Sequence, residues 1–455
     1  MSEQEFDAIV MGAGAPGEVC AGRLADGGLE VAIVEPRLVG GECSYYACMP
    51  SKALLRPAEA LAEVRRVPGA AEAVTGQLDV QAALRRRDEV IHDLDDSSQL
   101  PWLSDRGIEL FRGRGALAGE RRVKVGDDEL IARRAVVVAT GSDATIPPID
   151  GLSEADPWDN REATTSKRVP DSLVVLGGGP VGAEMAQAWR SFGTDVVLVE
   201  AMERLLSTEE PFAGEQVADA LRDQGVDVRT GAKASAVRAE NGGVTVELEG
   251  GDSVRGQVLL VAIGRTARTE GIGLETVGVK VDRWLEVDDQ LRVGGSDWLY
   301  GVGDVNGRSL LTHMGKYQGR IAADHILGKD VAATADRLGS PRVTFTDPEV
   351  SAVGRTLAAA QEAGINARAA DVPTSGTAGA SFHGRNAPGT SRIVVDEDRG
   401  VIVGATFVGP ETADFVHAAT VAVIGEVSLN HLWHAVPAFP TRSEVWLKLM
   451  EEYGL

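Results

Sequence analysis

The chain has 455 residues, 44% hydrophobic and 25% charged, which suits roughly three soluble globular modules. Its 45 Lys and Arg against 68 Asp and Glu leave a formal charge of −23, which argues against nucleic acid or an anionic membrane as a main partner. Three cysteines cannot build a disulfide framework, no apolar run of about 18 residues suggests a membrane span, and MSEQEFDAIV lacks a basic region before a long apolar stretch, so a cytoplasmic protein is expected.

The first element is FDAIVMGAGAPGEVCAGRLADGGLEVAIVE. Residues 8–11 and 31–34 read as buried parallel strands around a glycine loop and a helix. Gly12 permits the tight turn, Gly14 lets the backbone approach a pyrophosphate, and Gly17 lets helix and strand pack closely. Phosphates would sit at the helix N-terminus, where free N–H groups and the dipole favour anions. Glu35, 18 residues after Gly17, is placed to accept hydrogen bonds from a ribose diol. Cys20 falls inside the helix and reads as a small buried apolar residue.

GGECSYYACMPSK follows, with Cys43 and Cys48 separated by four residues directly after Gly40 and Gly41. Metal binding needs further ligands at suitable spacing, and the first histidine is His92, so no metal site is expected and the close pair is expected to be catalytic. RAVVVATGS (134–142) reads as a strand ending in small residues. The glycine pattern then returns in SLVVLGGGPVGAEMAQAWRSFGTDVVLVE: Gly177, Gly179 and Gly182 lie between strands 173–176 and 196–199. It ends in Glu200, again 18 residues after the last glycine. Two intact units imply two dinucleotides. Glu200 would repel a 2′-phosphate and bond a free 2′-hydroxyl, and Ala201 and Met202 offer no cationic clamp, which favours NADH over NADPH. LLVAIGRTAR (259–268) and LYGVGDVNG (299–307) read as further strand ends, the latter leaving Asp304 free to bond a cofactor. From about residue 337, RVTFTDPEVSAVG and SRIVVDEDRGVIVGATFVG read as antiparallel strands with turns at 347–348 and 398–400.

These motifs together resemble the flavoprotein disulfide reductase family, the group of dihydrolipoamide dehydrogenase, glutathione reductase and mercuric reductase. The resemblance spans essentially the whole chain, and the Cys-x4-Cys-x-Pro-Ser-Lys segment is its most specific part. It implies an α/β fold with two Rossmann-like dinucleotide-binding domains and a C-terminal α+β dimerisation domain. The expected divisions are an FAD-binding domain in two parts (1–150 and 268–336), an NAD-binding domain (151–267) and an interface domain (337–455), in a homodimer. FAD falls to Gly12, Gly14, Gly17, Glu35, Gly41, Thr140, Gly141, Gly303, Asp304, Thr312 and His313. NADH falls to Gly177, Gly179, Gly182, Glu200 and Gly264. Cys48 would lie beside the flavin, Cys43 would be the outer thiol that meets a small-molecule acceptor, and Lys52 would pair with Glu184 near the reactive nitrogen.

Departures from the family narrow the reading. The family closes with His-Pro-Thr-x-Ser-Glu, whose His, from one subunit, serves as acid/base at the other's disulfide. Here the segment is HAVPAFPTRSEVW: Phe439 holds the His position and Glu444 is kept without its partner. A positioned general acid or base typically contributes about 10²–10⁴-fold, which phenylalanine cannot supply. His431 and His434 are nearby substitutes to weigh. Between the cysteines stand Ser44, Tyr45, Tyr46 and Ala47; a tyrosine hydroxyl beside Cys43 could donate a proton, or the rings could pack. Glu42 replaces the usual threonine. The leading expectation is an FAD oxidoreductase passing electrons from NADH through a Cys43–Cys48 disulfide to a small disulfide or other electrophile. The alternatives are a quinone or dye reductase with direct transfer from FAD, and a non-catalytic flavoprotein subunit of a larger assembly.

Overall fold

The computed structural model describes residues 3–240, 242–385 and 387–455. The chain forms two compact units. The first gathers the chain up to Pro50 with Asp88–Ala144 and Arg265–Arg337; the second gathers Ser51–Arg87, Thr145–Gly264 and Leu338–Leu455.

In the first unit a seven-stranded sheet runs in the order Glu109–Arg112, Val31–Glu35, Glu3–Met11, Asp128–Val138, Arg122–Val125, Gly115–Leu117, and Leu299–Gly301 also pairs with Asp128–Val138. Its central pairings are parallel and the last two antiparallel. The run VAIVE is buried along its whole length, as a strand covered on both faces requires. Helix Ala15–Asp26 packs on helix Thr312–Ile326 at close range: a Cβ on Gly319 would lie 2.5 Å from the Pro16 carbonyl oxygen. The glycines of that second helix are therefore packing residues.

The second unit holds a four-stranded parallel sheet, Asp227–Arg229, Asp195–Val199, Ser172–Leu176, Val258–Val261. Helices Pro180–Ser191 and Pro211–Asp223 share its core, where Trp189 is fully buried. Beside it is an antiparallel sheet of Ala234–Glu240, Gly243–Leu248 and Ser253–Gly256. A five-stranded antiparallel sheet follows, in the order Arg342–Thr344, Glu349–Gly354, Val401–Gly409, Thr390–Asp396, Ala367–Pro373. Its long hairpin turns at Gly400, which has φ +62°, and helices Val416–Ile424 and Val445–Tyr453 close its core around Phe407.

Candidate active site

The first glycine loop divides its labour by geometry. Gly12 has φ +112°, and a Cβ there would meet the Ala139 carbonyl oxygen at 2.3 Å. A Cβ on Gly17 would stand 1.9 Å from the Gly12 oxygen, so helix and loop touch backbone to backbone. Gly14 is open, with nothing nearer than 3.9 Å, and it caps helix Ala15–Asp26 without a side-chain partner for the first N–H groups. Those N–H groups face a cleft of about 570 Å³.

Of the eleven residues expected to hold FAD, nine line this cleft: Gly12, Gly14, Glu35, Gly41, Thr140, Gly141, Gly303, Asp304 and Thr312. Gly17 is used in packing, and His313, at the start of helix Thr312–Ile326, is exposed. Glu35 is already oriented: its two carboxylate oxygens accept from the Ala13 and Arg37 N–H groups, each at 2.8 Å. Burial raises its pKa against the pull of those two donors. Asp304 is engaged rather than free, accepting from the Ser142 hydroxyl at 2.6 Å with the Arg265 Nε at 3.6 Å. The volume, the open helix N-terminus and the oriented acid all fit FAD.

Cys43 sits in the short helix Gly41–Tyr45 and lines the cleft; Cys48 is the first residue of helix Cys48–Arg66. Both are half-buried, and Cys48 Sγ lies 3.2 Å from the Thr312 hydroxyl. The Cys43 pKa is raised, first by its interaction with Cys48 and then by burial, so a negative charge on Cys48 disfavours one on Cys43. Position at a helix N-terminus favours a thiolate at Cys48. Cys20 is fully buried and its thiol is pushed up to about 12 by desolvation, which leaves it inert. The two tyrosines part company. Tyr46 lines the cleft with Cys43. Tyr45 is 1% exposed, its hydroxyl has no hydrogen-bond partner among the described residues, and burial pushes its pKa up to about 12.

Two arginines that the sequence motifs pass over meet here: Arg268 lines the cleft, and Arg265 bonds Ser142, which also lines it. Arg265 donates to the Ser142 hydroxyl at 2.6 Å. Arg268 donates to Glu42 at 2.8 Å and to Asp143, and all three line the cleft. The carboxylate of Glu42 thus has a cationic partner 226 residues away, a pairing that no local motif announces.

The second glycine loop repeats the first in detail. Gly177 has φ +108° and its Cβ would meet the Ala262 oxygen at 2.5 Å; a Cβ on Gly182 would lie 1.8 Å from the Gly177 oxygen; Gly179 has nothing within 4 Å. Glu200 accepts from the Gly178 and Met202 N–H groups at 2.5 and 2.7 Å, the counterparts of Ala13 and Arg37. Met202 is 56% exposed, and Gly264 has φ +145° in open space. In this unit Lys52 Nζ meets Glu184 Oε2 at 2.7 Å and stands 4.7 Å from the Phe345 ring centroid. The other Glu184 oxygen accepts from the Phe345 N–H at 2.9 Å.

In the C-terminal segment Phe439 is 76% exposed, and Glu444 accepts from the Gly379 N–H at 3.3 Å. His431 Nδ1 lies 2.8 Å from the Ser428 hydroxyl, and His434 is exposed. Among the described residues no cluster of three His, Cys, Asp or Glu could hold a metal, and no helix is long and apolar enough to cross a membrane.

Residues 6–319 match the pyridine nucleotide-disulphide oxidoreductase family and residues 340–450 match its dimerisation domain, which supports a homodimer. A dihydrolipoyl dehydrogenase from Chlamydia muridarum (strain MoPn / Nigg) is 31% identical over 97% of this chain and 96% of its own. Among solved structures, the HOCl-induced flavoprotein disulfide reductase RclA from Escherichia coli, in its Cu(II) complex, superposes with a TM-score of 0.86 at 25% identity. That match covers 98% of this chain and 99% of RclA. LpdA from Mycobacterium tuberculosis gives a TM-score of 0.85 at 26% identity, covering 99% and 100%. The chain belongs to the pyridine nucleotide-disulphide oxidoreductase family and is, with it, an FAD- and NAD(P)H-dependent oxidoreductase.

Proposed function

We propose that this enzyme passes electrons from NADH through FAD and a Cys43–Cys48 redox disulfide to a small disulfide or another electrophilic acceptor. The observation that carries the reading is that Cys43 lies in the wall of the cleft built by the Gly12–Gly14 loop and Glu35. FAD, when bound, supplies the exchange of a hydride with nicotinamide and of an electron pair with thiols. The chain supplies the rest. The helix that begins at Cys48 favours that residue's thiolate, and Thr312 hydrogen-bonds its sulfur. Cys43, which lines the cleft, is the partner that exchanges with the acceptor. Lys52 is held by Glu184, the pairing that the family resemblance implies. Glu200 selects NADH by its negative charge, and the neutral, exposed Met202 beside it offers a 2′-phosphate nothing to bind. We assign residues 1–150 and 268–336 to the FAD-binding domain, 151–267 to the NAD-binding domain and 337–455 to the interface domain. Working thiols suit a cytoplasmic location.

Phe439 favours a second reading. With phenylalanine where the family keeps its proton carrier, direct passage from FAD to a quinone or dye needs no acid at the disulfide. Cys43→Ser separates the two. It is assayed with a low-molecular-weight disulfide, a quinone and Cu(II), the ion in the RclA structure. Loss of turnover with every acceptor supports the disulfide route; survival of quinone turnover at the original rate overturns it.

A further inference from the structure

The turn that carries Cys43 is too short to hold itself. Gly41–Tyr45 is five residues long, and an isolated helix of that length is not stable. On one side it is tied to the glycine loop: the Gly40 N–H donates to the Ala13 oxygen at 2.8 Å, and a Cβ on Gly41 would stand 2.7 Å from Gly14 Cα. On the other side the tie is ionic. Glu42, the residue before Cys43, meets the Arg268 guanidinium at 2.8 Å, with side chains 20% and 26% exposed. Arg268 has a fixed base from which to reach. Its N–H donates to the Gly141 oxygen at 3.0 Å and its own carbonyl accepts from the Thr140 hydroxyl at 2.7 Å. The same guanidinium also holds Asp143, which is 54% exposed and open to solvation.

We propose that Glu42 and Arg268 are positioning residues for Cys43: their ion pair clamps the thiol-bearing turn to the cleft wall and keeps Cys43 within bonding reach of Cys48. The inference rests on the reading of Cys43–Cys48 as a redox disulfide and adds to it the residues that set how readily that bond closes. It also accounts for a carboxylate in a cleft built for an anionic cofactor, since Glu42 enters with its countercharge. The clamp is asymmetric. Loss of Glu42 leaves Arg268 with Asp143, whereas loss of Arg268 leaves two carboxylates beside the phosphate loop without it.

The test is a double-mutant cycle on the disulfide itself. Holoenzymes carrying Glu42→Thr, Arg268→Asn and both are equilibrated in glutathione redox buffers, and free Cys43 and Cys48 thiols are counted by alkylation. Each single change is expected to shift the equilibrium toward the dithiol, Glu42→Thr by about tenfold, equivalent to about 30 mV, and Arg268→Asn by at least as much. The double variant is expected to shift by about the same tenfold, since the interaction can be lost only once. A double shift equal to the product of the singles, or no shift in either single, overturns the clamp. If Arg268→Asn does not fold, Glu42→Thr and Glu42→Gln decide. The amide keeps the shape without the charge and is expected to shift less than threonine; wild-type potentials in both overturn the proposal. Cys43→Ser is run alongside. Turnover surviving in C43S overturns the disulfide reading; a dead C43S with E42T at the wild-type potential overturns only the clamp.

Discussion

Alanine at Gly179 and at Gly182 should fail in opposite ways, although the two glycines stand three residues apart in one loop. Gly179 has φ −72° and ψ −176°, which alanine adopts freely, and its Cβ would meet nothing within 4 Å. Stiffening the unfolded chain contributes about 0.4–1 kcal/mol, and alanine's weakness at an N-cap removes a comparable amount. Gly179→Ala is therefore expected to melt within about 2 °C of wild type. Its new methyl, however, occupies the space where backbone and pyrophosphate must meet, so KM for NADH should rise about tenfold or more, or about 1.4 kcal/mol. Gly182→Ala is the reverse. Its Cβ would lie 1.8 Å from the Gly177 oxygen, where real Cβ atoms keep at least 3.0 Å, so helix Pro180–Ser191 must retreat by more than about 1 Å. Overpacking of that kind costs about 1–3 kcal/mol, visible as a lowered melting temperature. Melting curves and NADH saturation curves of both variants decide. Wild-type KM in Gly179→Ala, or equal melting losses in the two, would refute the division of labour drawn from the loop.

Three other outcomes follow from the structure. Glu349 is 8% exposed, and burial pushes its pKa up to about 7 from 4.5, so the folded state holds a proton that the unfolded state releases between those values. Stability from this group is thus lost as pH rises from 4.5 to 7; Glu349→Gln should match wild type at pH 4.5 and exceed it at pH 8 by at most about 3 kcal/mol. Equal stabilities at pH 8 would refute it. Phe439→His should raise turnover with a small dithiol by about 10²-fold or more, read by steady-state kinetics, if the missing proton carrier limits the enzyme; an unchanged rate removes Phe439 from the account. Lys52→Met should cost about 1 kcal/mol, because Glu184, only 5% exposed, loses its cation; Glu184→Gln in the same chain should recover most of it. Additive losses in denaturant titration would mean the pair is not coupled.

What the sequence discloses here is what is local. The two glycine loops, their flanking strands and their closing acids are read from spacing alone, because each glycine answers to a contact within its own βαβ unit. The hairpin around Gly400 is legible for the same reason. The antiparallel sheet of residues 234–256 is marked too, by the hairpin signals NGG (241–243) and GGD (250–252), which a reading led by cofactor motifs passes over. Ion pairs are the least legible. Arg268 meets Glu42 across 226 residues, and Arg265 approaches Asp304, which the sequence presents as free. Tyr45 and Tyr46 are adjacent in sequence, yet one is core and the other lines the cleft; a five-residue helix has no periodicity to tell them apart.

The central claim is that Cys43 and Cys48 stand between flavin and acceptor. Anaerobic titration of the oxidised holoenzyme with NADH tests it most directly. The account predicts a long-wavelength absorbance band that peaks after two electrons, the mark of a Cys48 thiolate beside oxidised flavin, and disappearance of that band in Cys48→Ser. Direct passage to fully reduced flavin, with no such band, would contradict it.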